Sequence, residues 1–211
     1  MNVGIVGFGS IGTEVAKALL KGVENFYLYG ITSRSKTNAE ERISKLKKNI
    51  EIFDLKTLIN NCQIIIDCAP KEAFRDIATR CINDGKTLIT VSGSGILDNF
   101  DLIETPKKNN SQIILATGAI LGLDALRAAA ESTIHSVKMT TRKPPNAFSK
   151  APYVIKNNIE LDQLSVSKLI FKGSATEGAK AFPANVNVAA AVGLAGIGCL
   201  LYTSDAADDS G

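Results

Sequence analysis

Gly7, Gly9 and Gly12 stand at the spacing G-x-G-x-x-G between an apolar run and a segment of helical period, with Ser10 and Ile11 between them. In that context each glycine has its own task. Gly7 permits a tight turn, Gly9 lets the backbone approach a pyrophosphate, and Gly12 lets helix pack on strand. The unpaired N–H groups that open the helix then meet the negative charge. The chemistry this predicts is the holding of a nicotinamide dinucleotide. The residue that reads the adenosine ribose lies about 20 residues further on, and for NAD it is normally an acid. Here the stretch is Thr32-Ser33-Arg34-Ser35-Lys36, with no acid. The Ser33 hydroxyl and the forked guanidinium of Arg34 suit a 2′-phosphate, so NADP is expected and NAD stays open. The alternative for these residues is an exposed polar loop.

Three later loops complete the candidate site: Ala69-Pro70-Lys71, Ser92-Gly93-Ser94-Gly95 and Thr117-Gly118-Ala119. Ligands of open α/β sheets bind outside the carboxyl ends of the strands, so Ala69, Pro70, Ser92, Gly118 and Ala119 are expected around ribose and nicotinamide. Each is equally compatible with an ordinary strand-to-helix turn. The paired cations Arg142 and Lys143 could anchor a substrate carboxylate or form a solvated basic turn. Four cysteines (Cys62, Cys68, Cys81, Cys199) lack C-x-x-C spacing, and His135 is the single histidine, so no metal site is expected. The thiols read as buried and inert, in a reducing compartment.

These residues require strands ending at the loops and helices between them. Strands are expected at residues 3–6, 26–31, 64–68, 87–91 and 113–116. Helices are expected at 11–20, with Val15, Ala16, Leu19 and Leu20 on one face, and at 72–82, with Phe74, Ile77, Ala78 and Cys81. That alternation is the pattern of a parallel sheet covered by helices, an α/β fold of the Rossmann doubly wound type. After Ala130 the texture changes. Strands are expected at 137–141 and 169–171, around a loop carrying Pro144, Pro145 and Pro152, and one Ala/Gly-rich helix at 179–198. Lys180, Asn185 and Asn187 at its start favour burial over membrane crossing. From Leu201 a polar tail without apolar period is expected to stand outside the fold. The division that follows is a dinucleotide-binding domain at 1–118, an incomplete α+β substrate and dimerisation domain at 119–200, and the tail at 201–211. The 24 basic and 21 acidic residues are spread along the 211-residue chain, a net charge of +3, and leave no footprint for nucleic acid or a membrane surface. With a strand beginning within two residues of the start, no signal peptide is expected, and the location expected is cytoplasmic.

The cofactor loop joined to Thr117-Gly118-Ala119-Ile120-Leu121-Gly122-Leu123-Asp124-Ala125-Leu126, Thr140-Thr141-Arg142-Lys143-Pro144-Pro145 and Phe182-Pro183-Ala184-Asn185-Val186-Asn187-Val188-Ala189-Ala190 resembles the L-aspartate dehydrogenase family. The resemblance runs to about Gly198. It implies NAD(P)-dependent oxidation of L-aspartate to iminoaspartate, which yields oxaloacetate and ammonia or feeds nicotinamide cofactor synthesis. It also implies a cytoplasmic homodimer, Ala119 against the cofactor, and Asn187 reaching the nicotinamide side. Asn187 reads equally as a helix cap. The family's catalytic histidine sits in an Asn-x-His segment after the apolar helix, followed by Asn-Pro-Lys-Thr-Ser, and this sequence contains neither. His135 is expected in a surface structural role. The expectation is therefore a chain cut short before its catalytic histidine, able to bind cofactor and poor in turnover. Two other readings stand beside it. One is a related two-domain reductase of the dihydrodipicolinate reductase or homoserine dehydrogenase type, against which residues 182–190 argue. The other is a non-catalytic NAD(P)-binding or sensing protein.

Overall fold

The computed structural model describes all residues except 105–109, 117–119, 162–163, 165, 184–186, 197–201 and 206–211. The chain divides into two units, Met1–Ala116 and Thr117–Gly211.

In the first unit the elements run β1 (Asn2–Val6), α1 (Ser10–Lys21), β2 (Tyr27–Thr32), α2 (Lys36–Leu46), α3 (Leu55–Asn61), β3 (Ile64–Asp67), α4 (Phe74–Asn83), β4 (Thr87–Thr90), α5 (Gly93–Asp98), α6 (Asp101–Glu104) and β5 (Gln112–Leu115). The five strands form one sheet in the order β2-β1-β3-β4-β5, with every neighbouring pair parallel. Strands buried on both faces need continuous apolar runs, and Val3, Ile5, Ile31, Ile65 and Leu88 supply them from the sheet core. Helix α4 buries Phe74, Ile77, Ala78 and Cys81, the face that the 3.6-residue period marks out in the sequence. The strand order reverses between β1 and β3, so the carboxyl ends of these two strands diverge into loops on opposite sides of a crevice.

The second unit contains α7 (Leu123–Ala130), α8 (Pro152–Lys156), β6 (Phe171–Ser174), α9 (Ala175–Ala181), α10 (Asn187–Ala195) and β7 (Tyr202–Asp205). Four expectations are corrected here. The strand placed at residues 137–141 is absent, and residues 133–144 carry no regular element. Val137, Met139 and Thr141 do alternate half-buried with exposed Lys138 and Thr140, but a ladder needs a partner, and none pairs with them among the described residues. The strand expected at 169–171 lies instead at β6. It pairs antiparallel with β7, Phe171 opposite Asp205 and Ser174 opposite Tyr202. The tail expected to stand outside the fold thus supplies a strand, because its backbone groups satisfy those of β6.

The single helix expected at 179–198 is two helices. α9 starts earlier, where Ser174 and Glu177 form a reciprocal capping box. It stops at Phe182, whose φ of −136° and ψ of 61° leave the helical region ahead of Pro183. The Phe182 ring is fully buried, 5.5 Å from Phe148, 5.5 Å from Phe171 and 5.7 Å from Tyr153. Four aromatic rings therefore make the core at the point where the backbone turns. α10 then buries Ala189, Ala190, Ala191, Val192 and Ala195, small residues that allow close packing. Among the described residues no helix is long and apolar enough to cross a membrane.

Candidate functional site

The turn from β1 into α1 depends on its glycines through contacts that a side chain would fill. Gly7 has φ +89°, and its N–H donates to the Thr32 carbonyl at 2.9 Å, tying the ends of β1 and β2 together. A Cβ there would lie 2.6 Å from the backbone of Cys68 and Ala69 at the end of β3. A Cβ on Gly12 would strike the Gly7 carbonyl oxygen and come within 3.3 Å of Ile5. Gly9 is the opposite case. It caps α1, and a Cβ on it would meet nothing within 4 Å. Its outer side is open to whatever approaches the helix end.

α1 begins with no side-chain cap and no acid in its first turn. The opening N–H groups of Ser10, Ile11 and Gly12 thus lack intrahelical partners, and the positive end of the helix dipole is uncompensated. This fits a pyrophosphate, since amides and dipole both favour negative charge while the absent Cβ of Gly9 admits it. At the end of β2, Ser33 donates to the Ser35 carbonyl at 3.1 Å, and Ser35 caps α2 by accepting from the Asn38 N–H. Arg34 is exposed, and Lys36 lies 3.9 Å from Glu40. The loop between Thr32 and Lys36 therefore presents a guanidinium beside a helix start and no carboxylate.

At the carboxyl ends of β3 and β4 the structure assembles a group that the sequence reading missed. Asp67, 1% exposed, accepts from the Ala69 N–H at 2.9 Å through Oδ1 and from the Thr90 hydroxyl at 2.7 Å through Oδ2. Thr90 Oγ1 accepts from the Ser92 N–H at 2.9 Å, and Ser92 Oγ accepts from the Gly95 N–H at 3.2 Å, capping α5. The signal that could have found it is an acid closing an otherwise all-isoleucine strand, in register with a threonine on the next strand. Burial pushes the Asp67 carboxyl up, against the lowering by its bonds to Thr90 and Ala69. Because the Ser92 hydroxyl is buried in the α5 cap, Ser92 shapes its loop rather than offering a hydroxyl to solvent. Ala69 and Pro70 lead into α4 beside it, and Lys71 forms an ion pair with Asp98 at 3.1 Å.

Burial raises the thiols of Cys68 and Cys81 to about 12 and that of Cys62 to about 11, so all three stay protonated at neutral pH and none is a nucleophile. Among the described residues no cluster of His, Cys, Asp and Glu could hold a metal ion. A larger cleft, about 570 Å³ between α1 and α2, is lined by charges that pair with each other, Lys17 with Glu14 and Lys45 with Glu41. Ser10, at the start of α1, lines it as well.

In the second unit, Arg142 and Lys143 line a cavity of about 230 Å³ together with Lys168, Phe148, Leu161 and Ile170. Cations around an apolar floor suit a small carboxylate. Asn187 opens α10 and is exposed, and His135 is exposed in the stretch without regular structure. Gly118 and Ala119 lie outside the described residues.

Comparison with known proteins adds to this geometry. Residues 7–116 match the family described as homoserine dehydrogenase, NAD binding domain, and residues 124–202 match that described as aspartate dehydrogenase, C-terminal. The chain is 41% identical over 198 residues to an L-aspartate dehydrogenase of Bradyrhizobium diazoefficiens, covering 94% of this chain and 70% of that protein. It is 35% identical over 207 residues to an L-aspartate dehydrogenase of Methanococcoides burtonii, covering 94% of this chain and 74% of that one. The fold superposes on the crystal structure of aspartate dehydrogenase from Thermotoga maritima with a TM-score of 0.76 at 24% identity, covering 99% of this chain and 79% of that one.

Proposed function

The chain belongs to the L-aspartate dehydrogenase family, and from that premise we propose that it catalyses the NAD(P)-dependent oxidation of L-aspartate to iminoaspartate, which water converts to oxaloacetate and ammonia. The observation that carries the reading is the 41% identity spread over 94% of the chain. When bound, the nicotinamide ring supplies the hydride acceptor. Gly7, Gly9 and Gly12, with the amides of Ser10 and Ile11, would hold the pyrophosphate. Ser33 and Arg34 would take the adenosine ribose, with the guanidinium favouring a 2′-phosphate and hence NADP. The loops at Ala69-Pro70 and Ser92 would face ribose and nicotinamide. Gly118, Ala119 and Asn187 join them on the family resemblance. Arg142 and Lys143 would anchor the carboxylates of aspartate, neutralising charge that otherwise holds the substrate in water.

The amine proton is assigned to no residue here, since the sequence contains no Asn-x-His segment and His135 is exposed. The same reading places a homodimer in the cytoplasm, acting on a free amino acid and supplying an intermediate for nicotinamide cofactor synthesis. A homoserine-type reductase is the second reading, favoured by the family that residues 7–116 match. The test is a fluorescence titration of NADPH and NADH, followed by an assay of NADP⁺ and NAD⁺ reduction with L-aspartate and with L-homoserine. NADPH is expected to bind at least as tightly as NADH, R34E to reverse that order by about tenfold, and reduction to need aspartate. Reduction with homoserine alone overturns the substrate assignment, and an NADH preference of about tenfold in the unaltered chain overturns the role of Arg34.

A further inference from the structure

A carboxylate at the end of an apolar strand is an expensive residue to keep. Transfer of an isolated charge out of water is strongly unfavourable, whereas an apolar pair of similar shape at the same place would be nearly neutral for stability. Asp67 and Thr90 are 1% and 0% exposed, side by side in the β3–β4 register. Their bonds run to one another and into backbone beyond both strands: Asp67 to the Ala69 N–H, Thr90 to the Ser92 N–H. Ser92 carries the chain one step further, to the Gly95 N–H inside α5. A single continuous path of hydrogen bonds thus links the loop after β3 to the loop after β4. Two further contacts draw the same pieces together. Lys71 pairs with Asp98 across the two loops, and Gly95 brings α5 so close to α4 that a Cβ there would lie 2.8 Å from Phe74.

We infer that Asp67 and Thr90 are positioning residues for the dinucleotide: they lock the loops 68–70 and 91–93 into one preformed wall, against which the ribose and nicotinamide half of the cofactor settles. The inference rests on the dinucleotide-binding reading above. Its physical basis is preorganisation, since a wall already held in its bound shape is not ordered at the expense of binding energy. Gly7 packs on the backbone of Cys68 and Ala69, but the phosphate turn is held by bonds of its own, Gly7 N–H to the Thr32 carbonyl and Thr13 N–H to the Gly9 carbonyl, so the adenosine half of the ligand does not rest on this path.

That division supplies the test. T90V keeps the shape of the side chain while leaving Asp67 Oδ2 and the Ser92 N–H without a partner, and T90S restores the hydroxyl. In the full chain, T90V is expected to weaken NADPH by about tenfold, T90S to stay within about twofold of the unaltered chain, and 2′,5′-ADP to bind all three alike. Circular dichroism establishes that T90V is folded. Should it not fold, D67N, which keeps shape and one acceptor, takes its place with the same expectation. Equal loss of NADPH and 2′,5′-ADP would mean a merely structural role and overturn the inference, as would unchanged NADPH affinity in a folded variant. If the unaltered chain binds neither ligand, the dinucleotide reading itself fails and takes this inference with it.

Discussion

The two units differ in how far apart along the chain their stabilising partners lie. In Met1–Ala116 the strands β1 to β4 each hand on to a helix within a few residues, and α1 and α4 pack their periodic faces on the sheet they have just left. In Thr117–Gly211 the elements are short, α8 of five residues and β6 of four. They are held by an aromatic cluster drawn from Phe148, Tyr153, Phe171 and Phe182, and by a strand pair joining residues 171–174 to 202–205. The first unit concentrates its special residues at one turn and one sheet edge. The second spreads its stability over contacts between distant segments, so a single ring carries more of it.

The sharpest way to break the contrast is Phe182→Ala. Removing a fully buried ring from the cluster is expected to cost about 3–5 kcal/mol. Amide exchange under rising denaturant should report it as lost protection in β6 and α9, while β1 and β3 stay protected. Equal loss of protection in β1 would mean that the two units do not differ as described.

Within the first unit, the glycines separate folding from binding. Gly12→Ala drives a Cβ into the Gly7 carbonyl and is expected to destabilise by about 1–3 kcal/mol. Gly9→Ala meets no atom within 4 Å, so stability should hold within about 0.5 kcal/mol while NADPH affinity falls. Thermal melts and cofactor titrations on the two variants give the pair of numbers. A folded Gly9→Ala chain that binds NADPH unchanged would move the phosphates elsewhere.

Among the variants expected to lose stability, the smallest loss belongs to the α9 cap. Ser174→Ala is expected to cost about 1 kcal/mol. The backbone N–H of Ser174, then its hydroxyl, bond to Glu177 and hold that carboxyl below its ordinary value of 4.5. A depressed folded value means stabilisation that is present above the ordinary value and lost as pH falls through the lower one. Midpoints measured from neutral pH down through the carboxylate range should therefore fall more steeply for the unaltered chain than for Ser174→Ala. Parallel curves would remove the capping box as a contributor.

Read alone, the sequence determined what short-range physics decides. The order of the five strands and of α1 and α4 follows from apolar runs and a helical face at Phe74, Ile77, Ala78 and Cys81, both visible within a dozen residues, whereas α2, α3, α5 and α6 were not expected from the sequence. Gly7, Gly9 and Gly12 were legible for the same reason, since their tasks concern one turn. Tertiary structure decided everything that needed a partner far along the chain. Residues 137–141 have the alternation of a strand and, among the described residues, no strand beside them. Tyr202–Asp205 lacks an apolar period and is a strand because β6 offers it backbone bonds. The apolar stretch at 179–198 reads as one helix until the burial of Phe182 among three other rings takes the backbone out of helical geometry ahead of Pro183. Asp67 and Thr90, 23 residues apart, become one group only when β3 and β4 come into register. Period and spacing record the pull of near neighbours, but a ladder, a packed ring or a buried hydrogen bond exists only once the chain has brought its second half into place.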